Sequence, residues 1–399
     1  MNSQSKMLKK VSENIDYYKQ LELEIDENGS FEDELKKFPI INKQLIKKDQ
    51  KSFISYGKYG EEYQKIFQEK KYVFDKKYIV GEKIIVAEYT SGTTGSPFIA
   101  LKTKEERLKL GMNLWKLRNQ HTKVDPDEMF DFIHSVPFRN VKFDPHKNRR
   151  LQELEYLSSS KYVFWHITSR LLEDYKTFVV EHNIKFPNLR VIENNGSYIS
   201  QEEKKEYEKI FNCKIVDNYG SREMWTIAYS CPNGKLHINS DNIHFELLDE
   251  NGKEIKTDNT PGQVTLTSKK LNFMPFIRYQ IGDVAEYISC DCGCKNRAIQ
   301  IVPGRNYIKG TNLYGNKYFK DIVLGLALRF NIRNFDSITV VQDDYNHFKV
   351  NTVNNGENKE TLEKAFKAVA ESVFGHSDYV YEFMYDNEDR RKSIFTVVF

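Results

Sequence analysis

The sequence has no long apolar run. Its longest, Ile322 to Leu328, is broken by Gly325 and falls far short of the about 20 residues a membrane-spanning helix needs. The opening stretch MNSQSKMLKK has no apolar core of the kind a secretory signal carries, so a cytoplasmic protein is expected. Charge imbalance is missing too. Sixty Lys+Arg against 57 Asp+Glu leave a formal +3, without the strongly basic balance of nucleic-acid binders. Runs such as KKDQK mix signs and read as solvated helix faces. Five cysteines cannot all pair, and a reducing compartment disfavours disulfides. No internal repeat or low-complexity segment stands out. What is present is ample: 399 residues, 39% hydrophobic and 13% aromatic, allow a sizeable core and two or three domains.

The pattern changes along the chain. Residues 1 to about 80 read as mostly helical, with FPIINKQLIKK as a loop leading into a helix. KIIVAEY (Lys83 to Tyr89) and PFIALKT (Pro97 to Thr103) read as strands, followed by the amphipathic helix KEERLKLGMNLWKLRNQH. From about 130 to 220, short apolar strands (MFDFIHSV, KYVFWHI, LRVIENN, CKIVDNYG) alternate with polar helices, which argues for a parallel α/β sheet. From about 226 to 304, strands and Asn-Gly or Pro-Gly turns dominate. A small α+β unit follows, with strands on both sides of the helix KETLEKAFKAVAESVF, and the boundary falls near Gly304 to Asn306.

Two local features carry chemistry. The stretch YTSGTTGSP, Tyr89 to Pro97, joins the two predicted strands and concentrates hydroxyls around Gly92 and Gly95. Glycines let backbone N–H groups converge on an anion, and Thr90, Ser91, Thr93 and Thr94 add donors. A Walker loop would carry a lysine and run into a helix, and neither holds here, so positive charge must come from elsewhere. The alternative is a plain Ser/Thr-rich turn. The second feature is CPNGKLH with CDCGC: Cys231, His237, Cys290 and Cys292 form a thiolate-rich set suited to tetrahedral Zn²⁺. Cys294 could replace Cys290 or Cys292, and reduced cysteines without metal are the bland alternative. Cys213 reads as a buried small hydrophobe.

Further pieces follow in order: DNYGSREM with Tyr219, Gly220 and Glu223, IRYQIGDVA with Arg278, Gly282 and Asp283, and then Arg305 in PGRN. With these the whole chain resembles the adenylate-forming superfamily, and within it the phenylacetate–CoA ligase-like branch with its capsule-biosynthesis relatives. YTSGTTGSP and YGSRE are the most specific signatures. The resemblance implies an α/β fold. Its large N-terminal domain, residues 1–304, has mixed parallel sheets flanked by helices and a β-rich, zinc-bearing subdomain at 226–303. A small mobile α+β domain spans 305–399.

The resemblance also implies the chemistry. A small carboxylic acid attacks ATP to give an acyl-adenylate and pyrophosphate, with Mg²⁺ as cofactor. The acyl group then passes to CoA, a carrier-protein thiol or an amine. Ser91, Gly92, Thr93, Thr94 and Gly95 would clasp the β- and γ-phosphates, with Thr93 among the catalytic residues. Tyr219, after which Gly220 follows, would lie on the adenine, where an aromatic ring gains by stacking. Glu223 would hold Mg²⁺, Asp283 would bind the ribose hydroxyls and Arg305 the nucleotide. Lys392, in DRRKS, would cover the carboxylate and α-phosphate, the alternative being a solvated lysine beside Arg390 and Arg391. The Zn²⁺ would be structural.

Departures from the family pattern are visible as well. Asn306 stands where an aspartate hinge is usual, and Ser197 where an acid is common. The pocket walls would be Phe132, His134, Asn195, Gly196, Met224 and Trp225, whose aromatic members incline toward a flat aromatic acid. A nucleotide-binding protein without ligase activity, or a nucleotidyltransferase, would be the competing readings.

Overall fold

A computed structural model describes residues 3–55, 66–67, 76–89, 99–132, 138, 141–196, 199–302, 338–344, 347–353, 359–374, 380–386 and 394–397. The N-terminal segment is helical as expected, at Ser3–Asn14, Asp16–Lys19, Phe31–Lys36 and Lys43–Lys48, with two strands inside the stretch read as mostly helical, Ile41–Asn42 and Lys76–Val80. The two-residue strand β1 (Ile41–Asn42) pairs in parallel with a strand nearly 240 residues later, at Ile41↔Tyr279. A three-stranded antiparallel sheet comes next: β2 (Lys76–Val80), β3 (Lys83–Tyr89) and β4 (Ile99–Thr103). The last two are the strands that flank the hydroxyl-rich stretch.

Thr103 then caps helix Lys104–Thr122. Its side chain accepts from the Glu106 amide, and the Glu106 carboxylate accepts from the Thr103 amide. This reciprocal pairing satisfies two N-terminal donors and fixes where the helix starts. Lys123, in the left-handed region at φ 57°, ends it.

The parallel strands are β5 (Met129–Asp131), β6 (Phe164–Ile167), β7 (Val191–Asn195) and β8 (Lys214–Ser221). Alternate residues serve two layers. Phe130, Trp165, Ile167, Ile192 and Ile215 pack beneath helices Arg149–Ser158, Ser169–Glu181 and Gln201–Phe211. Phe164, Val191 and Val216 face the other way, toward Leu114 and Leu117 of helix Lys104–Thr122. Burial on both faces explains why these strands read as nearly continuous apolar runs.

The β-rich segment does not form a sheet of its own. The strands β9 (Trp225–Ser230), β10 (Leu236–Ile238), β11 (Ile243–Leu248), β12 (Gly262–Ser268), β13 (Tyr279–Ile288) and β14 (Ala298–Val302) extend the sheet beyond β8, each antiparallel to its neighbour. Together with β1 they make one eleven-stranded sheet, in the order β11-β12-β13-β14-β10-β9-β8-β7-β6-β5. The fold is thus mixed α/β, a large mixed sheet flanked by helices.

A separate four-stranded sheet, β17-β16-β15-β18, closes the chain. It is built from β15 (Ile338–Asp344), β16 (His347–Val353), β17 (Val380–Asp386) and β18 (Ile394–Val397) around helix Lys359–Phe374. Phe348, Val350, Phe366 and Val369 are buried between them, and the Phe366 ring meets Tyr381 edge-on at 5.6 Å. The expected boundary near 304 lies outside the described residues.

Candidate functional site

The parallel strands β5 to β8 all end on one side of the sheet, and in open α/β sheets the carboxyl ends of the strands are where ligands bind. At those ends stand Asp131, His166, Asn195 and the segment Tyr219–Glu223. The turn out of β8 is tight. A Cβ at Gly220 would lie 2.4 Å from the Trp225 carbonyl oxygen, so only glycine fits. Trp225 itself takes φ 62°, and the Met224 amide donates to the Ser221 hydroxyl.

This turn delivers Glu223 to β13, where its carboxylate accepts a 3.0 Å hydrogen bond from the Tyr279 hydroxyl. Glu223 is only 7% exposed. One turn earlier, the Tyr219 hydroxyl donates to the Asp283 carboxylate at 2.9 Å, next to Gly282 at φ 87°. The segment Tyr219–Glu223 is therefore tied to β13 at two points, Tyr219 to Asp283 and Glu223 to Tyr279.

Other predicted residues land elsewhere. Met224 is 1% exposed and Phe132 7% exposed, and both are packed in hydrophobic cores. Trp225 is half-buried and turns its indole N–H to Glu88 at 3.0 Å. Asn195 and Gly196, the latter at φ 83°, do sit at the carboxyl end of β7. Arg278 is buried, paired with Glu246 at 3.2 Å and donating to the Phe38 carbonyl, which makes it a structural residue. Ser91, Gly92, Thr93, Thr94, Gly95, His134, Arg305 and Lys392 lie outside the described residues.

Sequence reading missed the buried charges behind this edge. Glu193, fully buried on β7, receives Arg118 through two atoms at 2.9 and 2.5 Å, the Tyr229 hydroxyl at 2.7 Å and the Asn218 amide at 3.3 Å. Burial works against its charge, but the Arg118 guanidinium and these hydrogen bonds outweigh that and bring its pKa down to about 2. His166 extends the network toward the strand ends. Its Nε2 is 2.9 Å from the Asn195 amide and its Nδ1 is 3.3 Å from Asp131. A second buried pair joins Glu88 of β3 to Lys102 of β4 at 3.0 Å. The available signal was a charged residue inside an otherwise apolar strand: Glu in KIIVAEY, Lys in IALKT, Glu in VIENN. Such a residue is seldom buried unless paired.

The opposite end of the sheet holds the cysteines. Cys231 closes β9 in a turn where Gly234 (φ 75°) lets the Cys231 amide reach the Lys235 carbonyl. His237 lies on β10, and Cys290 and Cys292 on the loop between β13 and β14. The four ligand atoms lie within 4.8 Å of one another. Cys231 and Cys290 sulfurs are 3.8 Å apart, close to the ~3.8 Å edge of a tetrahedron with ~2.3 Å zinc–sulfur bonds. His237 Nδ1 donates to the Asn296 carbonyl at 2.6 Å, which leaves Nε2 pointing into the cluster, 3.2 Å from the Cys292 sulfur. Burial opposes a Cys292 thiolate, yet the Cys294 amide and neighbouring thiols bonded to that sulfur lower its pKa to about 6. Burial pushes Cys231 up to about 12. The donor set fits a closed structural Zn²⁺. Cys294 contributes its backbone N–H to the Cys292 sulfur at 3.4 Å and falls outside the four-atom group. Cys213 packs at the edge of the helical layer, with burial raising its pKa.

No family model matches the sequence, and no curated protein does. Solved structures share the fold. One is 2-hydroxyisobutyryl-CoA ligase in the postadenylation state with R3-HIB-AMP: TM-score 0.60, 13% identity, 96% of this chain and 85% of that one covered. The same ligase with 2-HIB-AMP and CoA gives TM-score 0.58 and 13% identity over 99% and 88% of the two chains. A structure from work on fatty acyl-adenylate ligases of E. coli and L. pneumophila gives TM-score 0.52 and 14% identity over 76% and 66%. At these identities the likeness is one of fold, that of adenylate-forming ligases.

Proposed function

We propose that this chain is an adenylate-forming ligase. A carboxylate oxygen of a small acid attacks the α-phosphorus of ATP, a new O–P bond forms, and the bond to pyrophosphate breaks. The acyl group then passes from AMP to CoA, a carrier-protein thiol or an amine. The observation that carries the reading is the pairing of Tyr219 with Asp283, and of Glu223 with Tyr279, beyond the carboxyl end of β8 in a sheet of this fold.

The residues divide the work. The Tyr219 ring lies along the adenine, while its hydroxyl keeps the Asp283 carboxylate turned for the ribose hydroxyls. Glu223, oriented by Tyr279, offers a hard oxygen to Mg²⁺, which when bound neutralises phosphate charge. Ser91, Thr93 and Thr94, on a backbone freed by Gly92 and Gly95, donate to the departing phosphates. An anion attacks a polyanion here, so preorganised donors supply most of the rate gain. Arg305 donates to the nucleotide, and Lys392 covers the carboxylate side.

The acid sits near Asn195, Gly196 and His134. The strand-end side chains Asp131, His166 and Asn195 are polar, while Phe132 and Met224 pack into cores, and a small acid, aromatic or not, is the substrate class of this reading. The division at residues 304 and 305 into two domains, and a structural Zn²⁺ on Cys231, His237, Cys290 and Cys292, belong to the same reading. No helix among the described residues is long and apolar enough to cross a membrane.

ATP–pyrophosphate exchange across a panel of small acids tests it. Exchange with any acid supports the ligase. ATP binding without exchange across the panel would instead assign a nucleotide-binding module, and AMP retained in the final product a nucleotidyltransferase.

A further inference from the structure

Lys102 is fully buried, as is the Glu88 side chain it meets. Burying a charge pair gains little stability over an apolar pair of the same volume, so the pair calls for another reason to be there. Its contacts supply one. Glu88 and Lys102 lie on the two strands that flank the hydroxyl-rich stretch, one residue before Tyr89 and one before Thr103. Lys102 Nζ donates to the Glu88 carboxylate at 3.0 Å and to the Arg222 backbone carbonyl at 2.7 Å. Arg222 immediately precedes Glu223. The Glu88 carboxylate also forms an ion pair with the Arg107 guanidinium at 2.8 Å and accepts from the Trp225 indole N–H at 3.0 Å. Arg107 lies over the Trp225 ring at 5.5 Å. One ammonium and one carboxylate thus grip both ends of the turn Arg222–Trp225 and hold it against β3 and β4.

We propose that Lys102 and Glu88 are positioning residues: they set where the Glu223 carboxylate stands relative to the strands leading into the phosphate-clasping stretch. The inference rests on Glu223 being the Mg²⁺ ligand. Hydrophobic packing alone would let the turn slide, because dispersion contacts carry no direction. Two directed charged hydrogen bonds do not. Tyr279 orients the carboxylate from β13, and the Lys102–Glu88 pair anchors its backbone from the opposite side.

The test is the affinity of the full-length protein for ATP, measured by calorimetry with Mg²⁺ and in excess EDTA, at a temperature where circular dichroism shows each variant folded. In the wild type Mg²⁺ tightens ATP binding. In Lys102→Met that tightening falls about tenfold or more, because a misplacement of about an ångström suffices. The Mg²⁺-free affinity stays within about twofold, since the partners of the Lys102 ammonium among the described residues are Glu88 and the Arg222 carbonyl. A merely structural role would weaken both affinities together or neither. If Lys102→Met does not fold, Arg107→Gln decides. It removes the partly exposed cation paired with Glu88, and is expected to cut the Mg²⁺ enhancement by about threefold. An unchanged enhancement in the folded variant overturns the positioning inference and leaves the ligase reading standing. A wild type whose ATP affinity ignores Mg²⁺ overturns the role of Glu223 and this inference with it.

Discussion

The two ends of the large sheet solve the problem of burying polar groups differently. At the amino end of β8, Cys231, Cys290 and Cys292 come from two short turns, each with its own positive-φ glycine, and His237 from the strand β10 that follows the first. At the carboxyl end the polar groups come from strands and helices far apart in the chain: Glu88, Lys102, Arg118, Glu193, Glu223 and Asp283. The first end is local chemistry placed on a scaffold. The second exists only once the scaffold has formed. The amino end should therefore tolerate change with its effects confined to stability, whereas the carboxyl end couples stability to ligand binding.

The largest expected break in this contrast is Arg118→Ala. It leaves Glu193 buried and uncompensated, at a cost of about 3–5 kcal/mol, seen as a lower urea midpoint at neutral pH. Glu223→Gln comes next. It keeps the hydrogen bond from Tyr279 but loses a charge, and pyrophosphate exchange is expected to fall roughly a hundredfold with little change in melting temperature.

Acid sharpens the comparison. The Glu193 pKa lies below its ordinary value, so its stabilisation is present above about pH 4.5 and is lost as pH falls toward about 2. The full loss amounts to up to about 3 kcal/mol. Glu193→Gln should flatten that limb of the pH–stability curve, and an unchanged limb would assign the acid sensitivity to other carboxylates.

At the amino end, the proposed Zn²⁺ site makes a further prediction: chelation, or Cys292→Ser, lowers the melting temperature. The exchange rate at 25 °C should stay near its starting value, and the metal content of the purified protein should drop in parallel. A parallel loss of exchange would show that the two ends are not independent. The smallest effect is Tyr219→Phe, which removes the 2.9 Å bond to Asp283 and keeps the ring. ATP affinity should weaken by no more than about tenfold, the worth of one hydrogen bond.

Much of the fold could be read in advance because period and punctuation are local. Lys83–Tyr89 and helix Lys359–Phe374 have the bounds the sequence suggests. The strand PFIALKT begins at Ile99 among the described residues. The continuation of the parallel sheet through β9 was not readable. A strand pattern records which faces are buried and not which neighbour it pairs with. The same limit hid β1, whose partner lies nearly 240 residues away. Met224 and Phe132 show the same limit from the other side. An aromatic or thioether side chain beside a site motif looks like a pocket wall, but only packing decides whether it faces a cleft or a core.

By itself the sequence determined the local matters: where helices are capped, where glycine is needed, which cysteines lie close along the chain, and the order of the motifs. These depend on backbone sterics and short-range hydrogen bonds, which act within a few residues. Only the tertiary structure decided that Lys102 answers Glu88 and the peptide before Glu223, and that Arg118 answers Glu193. It also decided that Tyr219 meets Asp283. Charges buried away from water must be met by a partner, and which partner arrives is settled by how the sheets and helices close around them.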